Sequence, residues 1–209
     1  WSVVARKFPR APREVNWHDA ADLPVRDNPA YGEPVLVVDK IRKQFGGLTA
    51  VNDISFDIKA GQIVGLIGPN GSGKSTMMNV LTGIYVPTAG NVLYAGQSVV
   101  GKTSSDIALS GIARTFQNVQ LFGEMTAIQN ILVGLHHTFK SSMFEIALNL
   151  PRYKKEEAEA HARAMALLKF VGLEDLANEE ARNLPYGKQR LLEIARALAL
   201  DPELLLLDE

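Results

Sequence analysis

The strongest chemical signal in the chain is Gly68-Pro69-Asn70-Gly71-Ser72-Gly73-Lys74-Ser75-Thr76. Its G-x-x-x-x-G-K-S/T spacing suits a loop that wraps a chain of phosphates. The glycines let the backbone come close enough for successive N–H groups to point inward at an anion. A helix opening at the end of the loop adds the partial positive charge of its N-terminus. Lys74 then reaches the β- and γ-phosphates, and the Ser75 hydroxyl can ligate Mg2+. A second signal is Leu204-Leu205-Leu206-Leu207-Asp208-Glu209. The apolar run predicts a strand buried on both faces of a parallel sheet, carrying Asp208 to the edge where open α/β sheets bind ligands. Asp208 is suited to hold Mg2+, directly or through water. Glu209 is suited to polarise an attacking water as general base. The two signals describe a nucleotide phosphate site.

Such a site needs strands and a helix to hold it. Residues 35–39, 52–58 and 61–68 are β-branched runs separated by Gly46-Gly47 and Ala60-Gly61, which predicts three strands with turns between them. Residues 75–82 predict the helix after the phosphate loop, and 91–99 a further strand. The stretch 107–176 reads as mostly helical, most clearly at 156–170, where Ala158, Ala162, Met165 and Leu168 recur at helical spacing. Residues 191–200 predict an amphipathic helix that stops at Asp201-Pro202. At the other end, Pro9, Pro12, Pro24, Pro29 and Pro34 crowd into the first 34 residues and predict an extended tail or linker. An opening at Trp1 without an apolar leader leads us to expect a piece of a longer, non-secreted chain.

Composition narrows the classes. With 46% hydrophobic residues, 22% charged residues and a net charge of −1, the 209 residues match a globular domain rather than a disordered chain. The absence of cysteine excludes disulfides, thiolate metal sites and iron–sulfur clusters. The balanced charge offers no basic footprint for nonspecific nucleic-acid binding, so no nucleic-acid partner is expected. No apolar run approaches the roughly 20 residues that span a bilayer.

With these residues on the page, the sequence resembles the ATP-binding cassette (ABC) ATPases from about residue 35 to Glu209. Residues 68–76 match the family's Walker A loop, and 204–209 its Walker B strand with the adjacent glutamate. The resemblance implies an α/β fold: a P-loop NTPase ABC cassette with a RecA-like core, an N-terminal antiparallel β sub-domain and a helical sub-domain, truncated at its C-terminus. The expected division is 1–34 as tail or linker and 35–209 as the ATP-binding domain, with core 35–106 and 184–209 and helical sub-domain 107–183. ATP and Mg2+ are the implied cofactors. Gln117, in Arg114-Thr115-Phe116-Gln117-Asn118, matches the glutamine that closes on Mg2+ and the attacking water. Phe45 matches the aromatic that stacks on adenine. Tyr186, Gly187 and Lys188, in Leu184-Pro185-Tyr186-Gly187-Lys188-Gln189-Arg190, fall where the family's signature caps a phosphate held by a second subunit. Pro185 replaces the signature serine and Tyr186 its first glycine, so the hydroxyl contact is lost while Gly187 keeps the close approach.

Three longer matches narrow the subfamily: residues 45–53, 114–122 and 192–198 are similar to the ATPases of branched-chain amino acid importers. The implied activity is ATP hydrolysis that powers import through a membrane permease. Importers of urea or amides, and a nonhydrolytic regulatory nucleotide binder, stand as alternatives. The implied partners are permease subunits, a second ATPase subunit (sister or self) and, indirectly, a periplasmic substrate-binding protein. The implied location is the cytoplasmic face of a bacterial inner membrane. The family's D-loop and γ-phosphate histidine are expected beyond Glu209, and His18, His136, His137 and His161 do not sit in that context. The 209-residue chain is therefore expected to hydrolyse ATP weakly or not at all.

Overall fold

The computed structural model describes residues 29–139, 141 and 150–208. Glu209 and most of the 1–34 segment lie outside them. Contacts divide the chain into two compact units: one gathers Val119–Ala199, and the other runs to Asn118 and resumes at Leu200.

The second of these units is built on β-branched sequence. β1 (Pro34–Phe45) and β2 (Leu48–Lys59) form an antiparallel hairpin closed by Gly46 and Gly47, where Phe45 pairs with Leu48. β3 (Ala89–Tyr94) joins the other side of β1, and β4 (Gln97–Ser98) pairs with β3, giving the order β2-β1-β3-β4. Helix α1 (Lys74–Leu81) follows the phosphate loop, and α2 (Ser104–Ser110) starts at Thr103, whose hydroxyl accepts from the Asp106 N–H. β5 (Ile112–Arg114) and β6 (Leu204–Leu206) pair in parallel, with Arg114 opposite Leu206. Leu36, Val38 and Ile41 of β1 pack with Met77 and Leu81 of α1, Val92 of β3, Ile107, Ile112 and Leu206 in one core. Burying each such side chain contributes about 1.5–3 kcal/mol. Tyr94 Oη donates to Glu203 Oε2 at 2.9 Å, which fixes the approach to β6.

The helical unit contains α3 (Ala127–Gly134), a 3-10 turn at Leu135–Thr138, α4 (Pro151–Phe170) and α5 (Tyr186–Leu198). Thr126 and Gln129 form a reciprocal capping box at the start of α3. Asn130 is fully buried. Its amide donates to the carbonyls of Phe122 (3.1 Å), Met125 (3.3 Å) and Thr126 (3.0 Å), while its Oδ1 accepts from the Phe122 N–H at 2.9 Å. One side chain thereby bonds four backbone groups of the 122–126 loop, which is also tied to the 180–182 segment where the Ala181 N–H donates to the Met125 carbonyl and the Arg182 N–H to that of Gly123. Ile128, Ile131, Ala164, Leu168, Leu192 and Ala195 form the core of this unit.

Five expectations from the sequence need correction. Residues 62–68 carry no ladder with any described strand, and Ile63 and Ile67 are almost wholly exposed. Their composition suits a pleated surface, but a strand forms only beside a partner edge, and none of the described strands provides one. β6 is not fully buried on both faces: Leu204 and Leu206 are buried, Leu205 between them is half-buried, and Leu207, just past the strand, is 48% exposed. The stretch read as mostly helical contains β5, a three-residue strand too short to show a period. In α4 the buried positions are Ala160, Ala164, Met165, Ala166, Leu167 and Leu168, while Ala158 is exposed. Alanines contrast too weakly with their neighbours to fix the phase of a stripe. The next helix also begins earlier than residue 191, at Tyr186, with Pro185 as N-cap at φ −55°. Proline's fixed φ of about −65° is compatible with that position.

Candidate nucleotide site

The phosphate loop owes its shape to two glycines. Gly73 sits at φ +91°, and a Cβ there would collide with the Ala50 carbonyl oxygen, so no L side chain fits. A Cβ on Gly68 would meet Ser72 Oγ at 2.5 Å. Gly73 is also the N-cap of α1 and offers no side-chain cap, so the first N–H groups of the helix are left for a ligand. Lys74 Nζ folds back and donates to the carbonyls of Gly68 (2.6 Å) and Pro69 (2.9 Å). The ammonium is thus already held inside the loop, where an incoming phosphate would meet it.

A cleft of about 960 Å³ opens beside the loop, within one compact unit. Asn70, Gly71, Gly73, Lys74, Ser75 and Thr76 line it, whereas Gly68 and Ser72 do not. Phe45 and Gln117 reach the same cleft, and so does Asp208, brought there from the end of β6. The Phe45 ring is 41% exposed, meets Tyr85 edge-on at 5.2 Å and lies 5.0 Å from Lys43 Nζ. A ring held from one side and open on another can stack on a flat heterocycle. The donor set fits a nucleoside phosphate: inward amides and an ammonium for the phosphates, with a hydroxyl, an amide and a carboxylate for a divalent ion.

The remaining expected residues lie elsewhere. Tyr186, Gly187 and Lys188 occupy the first turn of α5, in the helical unit. There Arg190 Nε donates to Tyr186 Oη at 3.0 Å, and its Nη1 donates to Glu193 Oε2 at 3.2 Å. Burial lowers the Arg196 pKa, partly offset by Glu193, and that guanidinium stacks 5.8 Å from the Phe122 ring. Glu209, expected as the general base, lies outside the described residues.

Arg114 was not singled out from the sequence. Its Nη2 donates to Asp208 Oδ2 at 2.6 Å. The partners are 94 positions apart, so only the parallel pairing of β5 with β6 reveals the contact. Glu193 was missed for a similar reason: it is buried, and its Oε1 accepts from the Gln120 N–H at 3.3 Å.

A glycine-shaped loop after β2, a lysine held within it, and a carboxylate delivered by a parallel strand define the phosphate site of a P-loop nucleotide-binding protein. The family model of the ABC transporter matches residues 51–209. The chain belongs to that family. It is 46% identical over 177 residues to the high-affinity branched-chain amino acid transport ATP-binding protein LivG of Escherichia coli, covering 85% of this chain and 69% of the relative. To the protein BraF of Pseudomonas aeruginosa, which bears the same description, it is 43% identical over 84% of this chain and 69% of the relative. Among solved structures, it is similar to a nucleotide-free ATP-binding cassette from an ABC transporter, with TM-score 0.70 and 33% identity over 84% of this chain and 69% of the other. A dimeric cassette in a post-hydrolysis state, bound to ADP and Pi, matches with TM-score 0.68 and 28% identity over 83% of this chain and 73% of the other.

Proposed function

We propose that the protein binds ATP at residues 68–76 and that its hydrolysis, weak in these 209 residues by themselves, drives import of branched-chain amino acids through a membrane permease in the complete cassette. The observation that carries this reading is the convergence of the loop, Lys74, Gln117 and Asp208 on one cleft, in a chain 46% identical to LivG. Lys74, held by two loop carbonyls, exchanges them for phosphate oxygens, and the N–H groups at the start of α1 donate to the same phosphates. Phe45 takes the adenine face. Ser75, Asp208 and Gln117, which line the same cleft, would hold Mg2+, and the bound ion would neutralise charge building on the phosphates. Glu209 takes a proton from the attacking water, and Gln117 orients that water.

In this reading residues 35–209 form the ATP-binding domain, and the Pro-rich 1–34 segment is a linker. The first turn of α5, with Tyr186, Gly187 and Lys188, caps the nucleotide of a second ATPase subunit. The pair works on permease subunits at the cytoplasmic face of a bacterial inner membrane, with a periplasmic binding protein supplying the cargo. The test is uptake of labelled leucine in cells that lack their own branched-chain importer, with the permease and binding protein supplied. Uptake by wild type and none by Lys74→Ala is the expected result. Rescue of urea or amide uptake instead would reassign the cargo, and ATP binding without turnover would favour the regulatory alternative.

A further inference from the structure

Arg114 sits at the end of β5 opposite Leu206, two residues before Asp208. Its Nη2 donates to Asp208 Oδ2 at 2.6 Å. Its Nη1 donates to Asn79 Oδ1 at 2.7 Å and to Thr82 Oγ1 at 3.3 Å. Asn79 belongs to α1 and Thr82 is its C-cap, so the guanidinium ties the carboxylate to the helix that carries Ser75. The Phe116 ring closes over the guanidinium at 5.1 Å. The Arg114 and Asp208 side chains are only 7% and 17% exposed, which leaves little solvent to compete for either. Asp208 is held at its backbone too, where its N–H donates to Thr115 Oγ1 at 3.4 Å. Among the described residues nothing donates to Oδ1, while Asp208 lines the cleft.

We propose that Arg114 is a positioning residue for Asp208. By holding Oδ2 from a base anchored on α1, it fixes the carboxylate rotamer and presents Oδ1 to the divalent ion that accompanies the nucleotide. The role rests on the reading of Asp208 as a metal-holding residue. A group that orients a metal-binding carboxylate from behind sets metal affinity without touching metal or nucleotide. An untethered carboxylate would have to lose its rotamer freedom on each binding event.

The test is Mn2+ binding to the intact protein, followed by electron paramagnetic resonance in the presence of a saturating nonhydrolysable ATP analogue. Affinity for the analogue in EDTA is measured alongside. Arg114→Gln is expected to weaken Mn2+ binding about tenfold and to leave analogue affinity in EDTA unchanged. Arg114→Lys, which keeps the charge but not the fork, is expected to restore part of the loss. Asn79→Ala removes the anchor of Arg114 and is expected to shift Mn2+ affinity the same way by less. Should Arg114→Gln fail to fold, Asn79→Ala decides. Mn2+ affinity unchanged or tightened in these variants overturns the proposal, as does an equal loss of analogue affinity in EDTA. Asp208→Asn separates the two readings. If it weakens Mn2+ binding and Arg114→Gln does not, only the positioning role falls; if it too changes nothing, the metal-holding reading falls with it.

Discussion

At the scale of single residues, the site depends on positions that tolerate no other side chain. Gly73→Ala puts a Cβ against the Ala50 carbonyl in a left-handed backbone. The conformation alone costs about 1–2 kcal/mol, and the collision must also deform the loop. Loss of saturable ATP binding in a chain that still folds by circular dichroism is the expected outcome. The Arg114–Asp208 pair carries a different risk. Removing one partner of a buried ion pair typically costs about 3–5 kcal/mol because the other charge is left stranded. Asn130→Ala is expected to lower the thermal midpoint by roughly 5 °C or more in a scanning calorimeter, since the loop 122–126 loses its buried partner. The glycines, Lys74, Ser75 and Asp208 were legible because their chemistry lies in contiguous motifs. Arg114 and Asn130 were not, because each owes its role to contacts that only the folded backbone creates.

At the scale of elements, legibility followed the strength of local pattern. The β1–β2 hairpin showed through its Gly46-Gly47 turn, and the helix after the phosphate loop through the motif itself. β5 is three residues long and carries no period, and α4 could be found but not phased, because half of its buried stripe is alanine. The segment 62–68 is the most instructive case. Its Ile63, Val64, Leu66 and Ile67 are strand-like, and all four are exposed. Unpaired apolar backbone is a template for association. Concentration-dependent light scattering of the 209-residue chain is expected, and the double variant Ile63→Lys with Ile67→Lys is expected to reduce it. Equal scattering from both chains would show that another surface is responsible. At the start of α3, Thr126→Ala removes half of the capping box and is expected to cost about 1 kcal/mol, read as an earlier urea midpoint with an unchanged slope.

At the scale of the whole molecule, the chain divides among the described residues into a nucleotide-binding unit and a helical unit, passing from one to the other at Asn118 and back at Leu200. Gln117 and Asp208, which both line the cleft, belong to the same unit although 91 positions separate them in sequence. Transport driven by this protein requires the cleft to be its ATP site. The most direct measurement is calorimetric titration of ATP with Mg2+ into wild type and Lys74→Ala. One saturable site in wild type, weakened roughly 100-fold or more in the variant, is what the geometry requires. Equal affinity in the two proteins, or no binding to wild type, would contradict it.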